Sequence, residues 1–150
     1  MIILGADHRG FKLKTALKTY LQKKGVLVMD CGTFNEDSAD YPVYSYQVAK
    51  RVAKSGGKHR GIVICGNGVG ASIVANKVKG AYCPIVDTIS EAKQSREHGN
   101  VNIIALRGDS VKPKDAFKIV DAWLETKFSR KKRYLKRLQQ VQKYEKIEFK

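Results

Sequence analysis

The chemistry this sequence can offer centres on one cysteine and the glycines that follow it: Cys65 runs directly into Gly66-Asn67-Gly68-Val69-Gly70. Three glycines in five residues let successive backbone N–H groups turn towards one point. A helix starting there adds positive potential, so the stretch suits an anion or a developing oxyanion. A plain strand-to-helix turn would need only one glycine. A thiol at the head of such a loop is a candidate base or nucleophile, because a helix N-terminus favours the thiolate. Asp7-His8, at the end of the first apolar run, forms a second pair of proton-handling groups. Cys31 and Cys83 have no comparable neighbours and read as structural. His98 falls at the end of a helical stretch, where a histidine commonly serves the helix dipole. His59 stands between Lys58 and Arg60 and reads as solvent-exposed.

Chemistry of this kind needs a scaffold that brings residues 7–8 and 65–70 together, and the apolar pattern supplies one. Met1–Ala6, Val26–Met29, Gly61–Cys65, Ala81–Val86 and Val101–Leu106 read as buried strands. Helical spacing appears between them. Leu13, Leu17 and Leu21 share one face of 10–24, and Tyr44, Val48 and Val52 share one stripe of a helix opened by Tyr41-Pro42. Further helices are predicted over 71–78, 89–98, 113–126 and 132–144. Continuous apolar strands alternating with helices define an α/β protein, with a doubly wound five-stranded parallel sheet in three αβα layers and a C-terminal helix. The expected strand order is 2-1-3-4-5. Ligands bind such sheets beyond the carboxyl ends of the strands, where the order reverses. Here that is between strands one and three, which end in Asp7-His8 and Cys65-Gly66. On the same topology His98 falls near the opposite, amino edge of the sheet.

The 150 residues are read as one domain, residues 1–150, with a basic helical extension over about 127–150. Three cysteines without paired spacing argue against a disulfide framework or a zinc site and favour a reducing cytoplasm. No secretory leader and no apolar run of roughly 20 residues is present, so no membrane partner is expected. The net charge of +15 invites a nucleic-acid reading. However, ten of the Lys and Arg residues lie in 127–150 against two Glu, and the others are scattered over helix faces. A solvated surface, or attraction of small anionic substrates, is preferred to a nucleic-acid interface. Gly66, Gly68 and Ala71 also fit the dinucleotide pattern G-x-G-x-x-A, with Asp87 about twenty residues on. Against a dinucleotide-dependent oxidoreductase, that loop follows the third strand rather than the first.

Several stretches together resemble the ribose-5-phosphate isomerase B family, which includes galactose-6-phosphate isomerase subunits. They are Gly5-Ala-Asp-His-Arg-Gly-Phe-Lys-Leu-Lys14, Asp40-Tyr41-Pro42, Ile64-Cys-Gly-Asn-Gly-Val-Gly-Ala-Ser-Ile-Val-Ala-Asn-Lys77, Ser95-Arg-Glu-His98 and Ile119-Val-Asp-Ala-Trp-Leu124. The similarity covers nearly the whole chain in register. It implies a Rossmann-like sheet, a homodimer at least, and neither cofactor nor metal. It also implies interconversion of ribose 5-phosphate and ribulose 5-phosphate through an enediolate, within pentose phosphate metabolism, with galactose or allose 6-phosphate as the alternative substrate. Carried over by position, Cys65 is the base and the amides of Gly66, Asn67, Gly68, Val69 and Gly70 hold the enediolate oxygen. Asp7 contacts the sugar near its ring oxygen, His8 binds phosphate and Tyr41 lines the pocket. His98, from a partner subunit, helps open the furanose ring, and Gly99 follows it. Arg133 and Arg137 bind phosphate, a role that suits the guanidinium fork.

The sequence departs from the family pattern in four places. Asn67 replaces a Thr or Ser, and Gly99 replaces the Asn that usually follows the histidine. Leu106-Arg107-Gly108-Asp109-Ser110 replaces a stretch that ends in a phosphate-binding arginine. Ser129–Arg133 replaces Glu-Gly-Gly-Arg, with about one residue more. These changes bear on substrate preference and rate more than on reaction class.

Overall fold

A computed structural model describes residues 1–149. The first strand, β1 (Ile2–Ala6), is buried along its whole length. It leads to α1 (Phe11–Lys23), which turns Leu13, Leu17 and Leu21 into the core. After β2 (Val28–Asp30) and a polar loop comes α2 (Tyr41–Lys54), with proline in its first turn, where no intrahelical N–H is lost. β3 (Arg60–Cys65) and α3 (Val69–Asn76) are joined by the glycine loop. α4 (Ile89–Gly99) opens with a capping box between Thr88 and Glu91. β4 (Ile103–Arg107), α5 (Pro113–Glu125) and α6 (Lys132–Glu148) complete the order.

The strands form one parallel sheet in the order β2-β1-β3-β4. Each face of the sheet carries its own apolar layer. On one, Leu4, Ile62, Ile104 and Trp123 pack with the leucines of α1. On the other, Ile3, Val63 and Ile103 meet Val48 and Val52 of α2 and the alanines of α3. Close packing of α2 on β1 requires Gly5, where a Cβ would lie 2.7 Å from Val48 Cγ2 and 3.0 Å from the Tyr44 carbonyl oxygen.

The three-layer parallel α/β architecture agrees with the sequence reading, but the sheet has four strands rather than five. The segment 81–86 was expected as the fourth strand, between Gly61–Cys65 and Val101–Leu106. Instead β4 pairs directly with β3, and 81–86 runs outside it with a single bridge from Ile85 to Ala105. The cause is local: Pro84 has no N–H to give the Ile103 carbonyl, so the backbone bonds that 82–86 makes to β4 are interrupted. At the residue before it, the Asn76 side chain takes the N–H of Cys83 at 2.9 Å and also donates to its carbonyl at 2.8 Å, while Ser72 donates to the same carbonyl at 2.6 Å. Among the described residues, no helix is long and apolar enough to cross a membrane.

Candidate active site

The strand order reverses between β1 and β3, and their carboxyl ends open into a crevice of about 360 Å³. Asp7, Cys65 and the loop residues Gly66, Asn67, Val69 and Gly70 all line it, as the sequence predicts. Cys65 is the last residue of β3 and is only 3% exposed. Its carbonyl accepts from the Gly108 amide at 2.8 Å, and the Gly66 carbonyl accepts from the Asp109 amide at 3.1 Å. The loops after β3 and β4 are thereby stitched together, which fixes the floor of the crevice.

Gly68 caps α3 in a left-handed conformation (φ +77°), a position that glycine adopts without strain. The Asn67 side chain folds back to accept the Val69 amide at 3.1 Å. One of the five loop amides expected to face substrate therefore already has a protein partner. Tyr41, at the start of α2, lays its ring against Gly70, where any Cβ would overlap the ring. Asp7 is buried, and its carboxylate accepts the Gly10 amide at 2.9 Å. That bond aims Asp7 across the turn that launches α1. His8 points instead to the loop before α2, where its Nδ1 meets the backbone of Ala39.

The crevice also contains a residue that sequence reasoning passed over. Arg9 lines it with its guanidinium lying on Gly66, 2.6 Å from where a Cβ would be. It reaches Asp109 through both carboxylate oxygens, Nε at 3.1 Å from Oδ1. Arg107, the residue nearest the missing family arginine, is committed elsewhere. Its Nε donates to both Asp87 oxygens at 2.9 Å, and its Nη1 donates to the Asn67 carbonyl at 2.8 Å. The same pair occupies the Asp87 carboxylate that a dinucleotide ribose would need.

His98, Gly99, Arg133 and Arg137 do not reach this crevice. They lie on α4 and α6 at the amino edge, separated from Cys65 by the length of β3, about 20 Å. There the His98 ring stacks on Tyr134 with centroids 4.4 Å apart. The Arg133 guanidinium covers the other part of that cluster, 4.7 Å from the Tyr134 ring, and donates to its hydroxyl at 2.8 Å. Arg137 follows one helical turn later and is exposed. Two groups of candidate side chains thus sit on opposite edges of one sheet. A larger groove of about 520 Å³ runs between α1 and α5, but it is apolar and no thiol, imidazole or carboxylate lines it. Among the described residues, no cluster of three or more His, Cys, Asp or Glu is placed to hold a metal.

At the switch point of this parallel α/β sheet a buried thiol, a carboxylate and a glycine-rich helix start share one crevice, the arrangement of an α/β enzyme. More particularly, the chain belongs to the ribose/galactose isomerase family, whose sequence model matches residues 2–141. It is 42% identical to ribose-5-phosphate isomerase B of Escherichia coli over 127 residues, covering 85% of each chain. The solved ribose-5-phosphate isomerase B of Clostridium thermocellum superposes with a TM-score of 0.92 at 40% identity, covering 97% of both chains. The Mycoplasma genitalium enzyme, solved with bound ribulose-5-phosphate, superposes with a TM-score of 0.92 at 36% identity, covering 97% of this chain and 95% of that one.

Proposed function

We propose that this protein interconverts ribose 5-phosphate and ribulose 5-phosphate in the crevice between β1 and β3. The observation that carries the reading is the placement of Cys65, buried at the strand end and directly before the amide loop, in a relative of an enzyme solved with ribulose-5-phosphate. Cys65 acts as the base. Its thiolate takes the proton from C2 of the open aldose, giving the enediolate, and the proton returns to C1. The hydroxyl proton passes from O2 to O1, so the two sugars differ by no atom. Amides of residues 66–70 stabilise the enediolate oxygen. Asp7 contacts the sugar near its ring oxygen, His8 contributes to phosphate binding and Tyr41 forms one wall. Arg9 supplies a cation at the mouth of the crevice.

The second half of the machinery comes from a second copy of the chain. His98 stands at the amino edge, too far from its own Cys65 to share a substrate with it. A homodimer that sets this edge against the partner's crevice brings in His98 for ring opening, with Gly99 beside the sugar and Arg133 and Arg137 on the phosphate. The unpaired cysteines at 31, 65 and 83 suit a reducing, cytoplasmic setting, with the chain working as one domain.

The test is ribulose 5-phosphate formation from ribose 5-phosphate by the purified protein and by Cys65→Ala. Loss of a general base lowers kcat by about 10²–10⁴-fold, and that loss in the variant is expected. No activity on the pentose with turnover of galactose or allose 6-phosphate would move the substrate to the hexose branch. Undiminished activity in Cys65→Ala would remove Cys65 from the mechanism.

A further inference from the structure

On the edge of the sheet away from the crevice, a polar cavity of about 190 Å³ lies between the start of β3, the end of α4 and α6. Arg60, Arg96, His59, Asn100, Asn102 and Gln142 line it, and no carboxylate does. This volume is several times the roughly 30 Å³ share of one water molecule.

The two arginines are unusual. Arg96 is only 7% exposed, donates from Nη1 to the Val101 carbonyl at 2.5 Å, and leaves Nε buried without a partner. Arg60 is half-buried and donates to the Trp123 and Leu124 carbonyls at 3.3 and 3.0 Å, closing the end of α5. Neither makes an ion pair with a carboxylate among the described residues. Burial, and then the charge of Arg60, lowers the Arg96 pKa to about 10. His59, which the sequence places in solvent, is half-buried, and its Nδ1 is another buried atom with no partner. Buried cations without a counter-ion are costly, and so are orphaned donors. A cavity that gathers both, with amide side chains and no acid, lacks one component: an anion.

We propose that this cavity is a binding site for a phosphate-sized oxyanion, held by Arg60, Arg96 and His59 and closed from above by Gln142 of α6. The site is independent of the crevice chemistry and does not rest on it. A bound ion bridges α6 to β3 and α4. Lower down, α6 is fastened by Glu145, which accepts the Gly80 amide at 2.5 Å and the Tyr82 hydroxyl at 3.2 Å. The ion therefore adds a fastening between Glu145 and the stack of Tyr134 on His98.

The Arg60 guanidinium lies 5.5 Å from the Trp123 ring, and Trp123 is the chain's sole tryptophan, so its fluorescence reports on this site. The probe is sodium phosphate, with sodium chloride at matched ionic strength as the control. The wild type is expected to show a saturable phosphate-specific change that Arg9→Met, altered in the crevice, retains. Gln142→Glu places a carboxylate against the arginines from an exposed helix face. It is expected to weaken phosphate binding by about tenfold or more while raising the melting temperature in phosphate-free buffer. Arg96→Met should abolish the response, and if it does not fold the Gln142→Glu comparison decides. Absence of a saturable response in the wild type overturns the proposal. So does an unchanged response in Gln142→Glu, or its loss in Arg9→Met, which would assign the ion to the crevice.

Discussion

Arg9 and Asp109 face each other across the mouth of the crevice, the guanidinium meeting both carboxylate oxygens while resting on Gly66. Both side chains are substantially solvent-exposed, at 58% and 40%. Such a pair contributes little to stability, about 0–1 kcal/mol, and is easily exchanged for another partner. On the proposed reading, a sugar phosphate entering the crevice would compete with Asp109 for the same guanidinium. Asp109→Ala is therefore expected to lower KM for ribose 5-phosphate by about threefold with the melting temperature nearly unchanged. Arg9→Met is expected to raise KM by about tenfold, the scale of one charge-assisted contact to phosphate. Steady-state kinetics on the two variants decides whether Arg9 serves substrate or only its neighbour.

The separation of Cys65 from His98 makes subunit mixing informative. Cys65→Ala and His98→Ala homodimers should each be nearly inactive. After mixing and exchange, half the dimers are mixed, and each carries one intact site, so roughly a quarter of wild-type activity should return. Recovery of none under conditions where exchange is demonstrated by mass would place both residues in one subunit's chemistry or exclude His98 from it.

Gly10 holds the start of α1 against β3. A Cβ there would fall 2.6 Å from the Ile64 carbonyl oxygen and 2.8 Å from Ile64 Cγ2, and the first of these atoms is backbone that cannot rotate away. Gly10→Ala is expected to cost about 1–3 kcal/mol, read as a lower urea midpoint with an unchanged slope. It should also displace Asp7, whose carboxylate accepts the Gly10 amide, so kcat should fall beyond what the stability loss explains.

Asp30 governs an acid-sensitive part of the fold. Its carboxylate pairs with Lys14, only 1% exposed, and with Lys18 at 3.1 Å. Burial pushes the Asp30 carboxyl up, but Lys14, the Gly32 amide and Lys18 outweigh it and hold the pKa below the ordinary value. A carboxyl lowered in the folded state contributes stability that is present above its unfolded pKa, about 3.9, and is lost as pH falls through the folded value. Asp30→Asn should cost about 3 kcal/mol or more at neutral pH, because it leaves the Lys14 ammonium buried and unpaired. The variant's stability should also fall less steeply than the wild type's below about pH 4. Parallel denaturation curves at pH 7 and pH 3 measure both effects.

The positions of β1 and β3 were legible because each is an uninterrupted apolar run ending in polar, glycine-rich sequence. With the parallel pattern, that sufficed to place Asp7 beside Cys65. Arg9 was not legible. In sequence it is one more charge at the start of a helix, and only the fold turns it over Gly66. His59 was misplaced for a similar reason, since lysine and arginine neighbours suggest solvent while the fold half-buries it in the cavity that Arg60 and Arg96 line. The segment 81–86 has the apolar content of a strand. What keeps it from a full ladder is Pro84, which has no N–H to give the Ile103 carbonyl, so the backbone bonds that 82–86 makes to β4 are interrupted.

The incomplete pairing of 81–86 also bears on how copies of this chain meet. Parallel sheets assemble slowly, and while they do so an exposed straight edge invites other strands to add to it. Here one border is the three-residue β2, and the other is a segment interrupted by Pro84 with a single bridge to its neighbour. Neither offers a run of unpaired amides long enough to template a foreign strand. Self-association through added strands is thereby disfavoured at both borders of the sheet.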